Sequence, residues 1–286
     1  MSGAPERGVL YVVATPIGHL GDLSPRAAET LRNAARVAAE DTRRSRGLLT
    51  HLGITGKPVD RLDAHASAHD VARVVDRLLA GEDVALVTDA GTPVVSDPGT
   101  DLVRAAAEAG VRVVPIPGPS AVMAALSASG LCTGAFRFLG FLPRKGPERR
   151  DALELVRATP ESVVLFESPE RTAETLADLA TSMPNRSAAV ARELTKVHEE
   201  ILRGTLPELA RVAAERETLG EVTIVIGPGE APKGPLVGEE ELDRLIDEHL
   251  ARGRRPKDIA DELALVSGRP RRELYARVLA RKRDER

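Results

Sequence analysis

The segment GVLYVVAT (8–15) holds no charged residue and is rich in β-branched side chains. A run of this kind suits a strand buried on both faces, which requires helices on each side of a parallel sheet. The following chain supplies them. SPRAAETLRNA starts a helix with Ser24 as N-cap and Pro25 at the first helical position. RVAAED reads as a short strand, TRRSRGLLTHL as a helix, HDVARVVDRLLAG as an amphipathic helix stopped by Gly81, and DVALVTD as a strand. GTDLVRAAAEAG, VRVVPIPG and PSAVMAALSASG continue as helix, strand and helix. This alternation through residue 130 predicts an α/β fold with a largely parallel sheet.

A second alternating block follows. AFRFLGFLP, ESVVLFES, SAAVARELT, HEEILRGT and GEVTIVIGPG read as strands; GPERRDALELVRA, PERTAETLADLATSM and LPELARVAAE read as helices. PGEAPKGPLVG (228–238) has the composition of a linker. Three helical segments close the chain, with Ile259, Leu263 and Val266 on one face and Leu274, Val278 and Leu279 on another. The expected organisation is an α/β domain over 1–118, a second α/β domain over 119–230, and a linker with a helical module over 231–286.

Charge separates the last piece from the rest. Residues 251–286 carry +6 and the remainder −9, within a net charge of −3. The Gly turn and arginines of SGRPRREL resemble a helix-turn-helix with a basic recognition helix. A nucleic-acid partner is expected, with Arg254, Arg255, Lys257, Arg271 and Arg272 as phosphate contacts. The competing reading is a solvated helix face or packing arm. The single Cys132 excludes a disulfide framework within one chain and a Cys-based zinc site. His65 and His69, four residues apart, lack further metal-ligating partners, so no metal is expected. MSGAPERG lacks the apolar core of a signal peptide and no apolar run reaches membrane-spanning length, so a cytoplasmic protein without membrane contact is expected.

Four loops leave expected strand ends: TPIGHLGD, EDTRRS, TDAGTPVVSDPG and PIPGPSAV. Strand C-termini line the ligand crevice of parallel sheets, where Gly and Pro present backbone groups closely and rigidly. G-x-G-x-x-G, the P-loop and G-x-S-x-G are all absent. Asp97, before Pro98 and Gly99, reads as a cap for the next helix and not as a ligand contact.

Taken in order, LYVVATPIGHLGDLSPRA, AAEDTR, LVTDAGTPVVSDPG, PIPGPSA, FLGFLPRKG, LFESPER and ARELTKVHEE resemble the tetrapyrrole methylase superfamily. Within it they are similar to the ribosomal RNA small-subunit methyltransferases that 2′-O-methylate a cytidine of 16S rRNA. The resemblance spans residues 8–286, with His19 standing where the family usually has Asn and Glu170 where it usually has His. It implies two α/β domains, each around a mixed sheet, with S-adenosylmethionine in the cleft between them. The implied cofactor contacts are Pro16, then Asp89, Ala90, Gly91, Thr92 and Val95, then Ser120 and Ala121. Phe166, Glu167, Leu194 and Thr223 complete them from the second domain. It also implies a homodimer and a partner in 16S rRNA or the small ribosomal subunit.

A ribose 2′-OH is a weak acid, so a base or a placed cation should assist its attack on the sulfonium methyl group. Asp41, Lys145, Glu193 and Lys196 are the candidates, with Arg43 and Glu167 beside them. Arg144 and Lys145 in LPRKG could instead grip phosphate. Two rivals stay open: a methyltransferase of the same fold acting on a tetrapyrrole or other small substrate, and a non-enzymatic nucleic-acid-binding regulator.

Overall fold

The computed structural model describes residues 7–132, 134–216, 219–229 and 238–284. Most of the linker expected at 228–238 lies outside the described residues. The chain divides into two compact units, 1–229 and 230–286.

The larger unit begins with a sheet of β1 (Val9–Val13), β2 (Arg36–Ala39), β3 (Val59–Arg61), β4 (Val84–Val87) and β5 (Arg112–Ile116), in the order β3-β2-β4-β1-β5. Every pairing is parallel. The mixed sheet implied for this domain is therefore corrected. Each connection passes through a helix, α1 (Pro25–Asn33), α2 (Thr42–His51), α3 (Ala68–Leu79) or α4 (Thr100–Glu108), and such crossovers return the chain in the same direction. β3 was not among the expected strands. It is a three-residue edge strand carrying Asp60 and Arg61, and charge at an edge blunts pairing with other chains while hiding the strand pattern.

Alternation along the strands gives the sheet two apolar faces. Leu10, Leu86 and Leu102 pack with Val74 and Leu78 of α3 on one side. Val13, Val37 and Val87 pack with Leu31 of α1 and Leu49 of α2 on the other. The chain runs from β1 toward β2 but from β4 toward β5, so the strand order reverses between neighbours β1 and β4. A crevice opens beyond their C-terminal ends at such a switch point.

A second sheet holds β6 (Phe136–Phe141), β7 (Ser162–Glu167), β8 (Ser187–Arg192), β9 (Glu200–Thr205) and β10 (Val222–Ile226), in the order β6-β7-β10-β8-β9. Only β6 and β7 are parallel. Helices α6 (Gly146–Ala158), α7 (Pro169–Ser182) and α8 (Leu206–Glu215) cover one face. α5 (Ala121–Ser129) covers the other through Val122, Ala125 and Leu126, where Ile17 from the first half joins the same core. The two halves thus share an apolar seam.

The smaller unit is a trio of helices, α9 (Glu239–Ala251), α10 (Pro256–Ser267) and α11 (Arg271–Asp284). Leu242, Ile246, Ile259, Leu263, Leu274 and Val278 form its core. Val266, expected on the buried face, is 48% exposed because it precedes the helix end at Gly268. The basic character of the tail also needs correction. Between 238 and 284 the sequence has twelve Lys and Arg against eleven Asp and Glu, since α9 contributes six acids lying before residue 251. Those acids face α11: Arg277 donates to Asp243 at 2.6 Å and Arg281 to Asp247 at 2.6 Å.

Arg186 shows how the second sheet is closed. Its guanidinium is buried and donates to the carbonyls of Gly227 at 2.7 Å, Val156 at 2.8 Å, and Thr159 and Glu161 at 2.9 Å. Replacing it leaves those buried acceptors without partners. Arg186→Met is expected to cost about 3 kcal/mol or more and to lower Tm by roughly 6–10 °C, read by differential scanning calorimetry.

Candidate active site

The crevice is organised by one pair of loops. Thr15 after β1 and Gly91 after β4 exchange backbone hydrogen bonds of 2.8 and 3.1 Å. The buried Thr15 hydroxyl adds a bond to the Thr88 carbonyl at 3.2 Å. Gly91 sits at φ +86°, a conformation that suits glycine. Val94 and Ser96 also take left-handed conformations, with φ of 75° and 63°. Two such residues within three positions indicate a loop held against its preference. Its neighbour makes room: β6 bulges between Phe138 and Gly140, and a Cβ on Gly140 would stand 2.9 Å from the Ser96 hydroxyl oxygen.

Behind these loops lies a cavity of about 360 Å³. Ala90, Gly91, Thr92 and Val95 wall it from the first domain, with Ser120 and Ala121 at the start of α5. Phe166, Glu167 and Thr223 border it from the second sheet. Ser120 caps α5 by accepting from the Met123 N–H at 3.5 Å. N–H groups in the first turn of a helix have no intrahelical acceptor, so the α5 start offers donors at the cavity edge. Three residues expected at this site lie elsewhere. Leu194 is packed in the shared core. Pro16 lines an adjoining cleft of about 430 Å³. Asp89 lines that cleft too, and its carboxylate accepts from the Asp41 N–H at 3.1 Å and faces Arg44 at 3.5 Å.

Sequence reasoning missed Ile17, Val122, Phe141, Asp97 and Glu221, all of which border the cavity. Phe141 ends β6 and stands 5.7 Å from the Phe166 ring, between centroids. An apolar residue at the last position of a strand next to a Pro loop was the available signal for it. Glu221 had none, because it is brought in by the turn before β10. Asp97 was read as a helix cap, and this is corrected: the N-cap of α4 is Gly99, with no side-chain cap.

None of the four candidate bases borders this cavity. Asp41 caps α2, accepting from the Arg43 N–H at 2.7 Å, and that bond holds its carboxyl below the usual range. Lys145 precedes α6 with its side chain exposed. Glu193 accepts from Lys196 Nζ at 2.8 Å and the Glu221 N–H at 3.0 Å; chiefly the Lys196 bond lowers its pKa. Lys196 lines the adjoining cleft, bonded also to Glu221 at 3.2 Å. Burial opposes its charge, but the bonds to Glu193 and Glu221 prevail and raise its pKa, so it stays a cation. This knot also joins the domains, since the Thr195 hydroxyl accepts from the His19 N–H at 3.0 Å. Glu167 is fully withdrawn: its carboxylate accepts from Thr175 Oγ1 at 2.6 Å and the Ser168 N–H at 2.8 Å, with Arg171 at 3.5 Å.

The cavity therefore has apolar walls, backbone donors and three bordering acids, and no Lys, Arg or His among its described lining residues. Its volume suits a small-molecule ligand, and its charge suits a cationic one. Those properties fit a sulfonium nucleoside: Ile17, Val122, Phe141 and Phe166 would hold the base, and Gly91 and the α5 start would present backbone groups.

Comparison with known proteins agrees with this class. The model of the tetrapyrrole (corrin/porphyrin) methylases matches residues 9–210. Cobalt precorrin-4 methyltransferase has the same fold, with a TM-score of 0.59 at 21% identity over 77% of this chain and 94% of that one. So has uroporphyrin-III C-methyltransferase of Thermus thermophilus, solved with S-adenosylhomocysteine, with a TM-score of 0.55 at 19% identity over 77% and 97%. The fold and site define a methylase of the tetrapyrrole methylase superfamily, a family of S-adenosylmethionine-dependent methyltransferases. A second model, the RsmI C-terminal HTH domain, matches residues 237–282. Ribosomal RNA small subunit methyltransferase I of Xylella fastidiosa is 46% identical over 272 residues, covering 94% of this chain and 98% of that one. Its namesake in Mycobacterium bovis is 45% identical over 281 residues, covering 97% and 96%. The chain belongs to the ribosomal RNA small subunit methyltransferase I family.

A methyl group at position 91 would meet Ile17 Cγ2 at 3.3 Å and strain a φ of +86°. Gly91→Ala is expected to weaken S-adenosylmethionine binding about tenfold, or ~1.4 kcal/mol. Calorimetric titration, with far-UV circular dichroism as a folding control, checks this.

Proposed function

We propose that this protein transfers a methyl group from S-adenosylmethionine to the ribose 2′-oxygen of a cytidine in 16S rRNA. The supporting observation is near-full-length identity above 40% to relatives named for small-subunit ribosomal RNA, joined to a cavity whose shape and charge suit the cofactor. Bound there, the cofactor supplies an electrophilic methyl group whose cationic sulfur is already a good leaving group. The protein's own task is alignment: the β4 loop and the α5 start fix the donor, and the adjoining cleft admits one unstacked nucleotide. The helical unit supports RNA over the small-substrate alternative, because it matches the model of an RsmI C-terminal helix-turn-helix domain.

Arg144 and Lys145 are exposed beside α6 and suit phosphate contact in this reading. Among the five tail candidates, Arg254 pairs with Glu262, Arg255 with Asp258 at 3.0 Å, and Arg271 with Asp261. Lys257 and Arg272 are exposed and make no ion pair among the described residues, so they are the cations ready for RNA. The same reading includes a homodimer, measurable by sedimentation, and action in the cytoplasm.

The test incubates the protein and methyl-labelled cofactor with small subunits from a strain lacking the modification. Label recovered as 2′-O-methylcytidine in 16S rRNA is the expected result; label on a base, or none, rejects the reading. Changing both Lys257 and Arg272 to Ala should raise KM for subunits with little effect on kcat. It should also reduce the slope of log affinity against log salt by about 1–2.

A further inference from the structure

We propose that Asp97 is the catalytic base, the group that takes the proton from the attacking ribose hydroxyl. This rests on the methyltransfer reading above and adds a residue that neither the loop's pattern nor the comparisons assign.

Three carboxylates border the cofactor cavity, and two are engaged. Glu167 is bound by Thr175, the Ser168 N–H and Arg171. Glu221 faces Lys196 Nζ at 3.2 Å. Asp97 has no cation within ion-pair distance among the described residues, and the neighbouring Thr88 hydroxyl is the one group that favours its charged form. That hydroxyl also lies 3.3 Å from Glu40 Oε2. A hydroxyl has one proton, so it serves one of the two carboxylates at a time. Asp97 is thus half-buried, unpaired by any cation among the described residues, and at the cavity wall.

Its place is also right for the acceptor. Thr88, whose hydroxyl acts on the Asp97 carboxylate, lines the adjoining cleft, and that cleft shares Ile17, Ala90 and Glu221 with the cofactor cavity. Asp97 therefore stands on the wall of the donor cavity, with Thr88 of the adjoining cleft as its neighbour. The two left-handed residues Val94 and Ser96 turn the loop so that Asp97 faces inward and Gly99, not Asp97, begins α4. Backbone strain held in a built loop commonly accompanies a functional placement.

The surroundings tune the group for proton transfer. Burial pushes the Asp97 carboxyl up to about 6, with Glu40 and Asp89 adding to the rise against the Thr88 hydrogen bond. Burial and Asp89 also raise Glu40, while Arg44, 3.5 Å from Asp89, moderates the cluster. A carboxylate of this kind is ionised at neutral pH yet a stronger base than a solvated one. In the step itself, the 2′-oxygen forms its bond to the methyl carbon as the carbon–sulfur bond breaks, both bonding electrons staying on sulfur. The hydroxyl proton moves to the Asp97 carboxylate and is later released to water, leaving methylated ribose and neutral S-adenosylhomocysteine.

Asp97→Asn tests this on the intact chain. Single-turnover methylation of unmodified small subunits at saturating cofactor should fall by about 100-fold or more, while the Kd for S-adenosylmethionine, whose cavity loses one of three bordering charges, rises by no more than about tenfold. The wild-type rate should decline as pH drops through about 6, where Asp97 protonates, and the residual Asn activity should lack that limb. Carbon-13 NMR of the unliganded protein should show an aspartate titrating near that value in the wild type only. An acid raised above its unfolded pKa is less favourable ionised in the fold, so the Asn variant should melt no lower than wild type at pH 8. Near-normal turnover in the Asn variant overturns the assignment. So does a loss of cofactor affinity matching the loss of rate, which would make Asp97 a binding group. Failure of the wild type to modify 16S rRNA rejects the proposed function, and this inference with it.

Discussion

The two-bonded bridge between Thr15 and Gly91 is the constraint on which the site depends. It ties together the loops leaving neighbouring strands β1 and β4, at the point where the strand order reverses. Untied, these would be two independent surface loops, each free to move. Tied, they form a single wall, with the Thr15 hydroxyl anchoring it to Thr88 and Thr92 Oγ1 reaching the Pro119 carbonyl at 3.1 Å. The bridge thereby couples β1, β4 and the entry to α5. Preorganisation of this sort spares a ligand the entropy of ordering the loops that hold it.

The second domain enters through a different device. Glu193 and Thr195 adopt left-handed backbone with φ of 52° and 65°, and Lys196 closes the turn onto Glu193 and Glu221. Gly18 is the matching piece in the first domain: a Cβ there would lie 2.5 Å from Lys196 Cγ. The charged residues Glu193 and Lys196 therefore act as a clasp, fixing one cavity wall against the other. Ion pairs of this kind contribute more to geometry than to stability.

Much of the fold was legible in the sequence because buried parallel strands are largely apolar and helix starts carry signals such as the Ser24 cap before Pro25. The exceptions have physical causes. β3 was hidden because three edge residues carrying two charges leave no periodicity to detect. The loop after β4 was legible as a wall of the crevice through its Gly and Pro, but the inward place of Asp97 was not, because the left-handed turns of non-glycine residues Val94 and Ser96 leave no mark in composition. Leu194 matched the family pattern yet points into the core, since position along a motif does not determine which face a side chain takes. The tail's charge was misjudged for a different reason. Its balancing acids sit on α9, outside the arginine-rich stretch but inside the same folded unit.

That last arrangement has a consequence for how such a module meets any polyanion. Arg269, Arg277 and Arg281 already face carboxylates of α9, held beside them by the fold itself. A tethered carboxylate acts at high effective concentration, so a passing phosphate must displace it before it gains anything. A stray polyanion offering one or two loose contacts loses that competition. A structured surface that presents several phosphates in register can win it. The helical unit is therefore self-screened: its cationic surface is selective by being partly occupied.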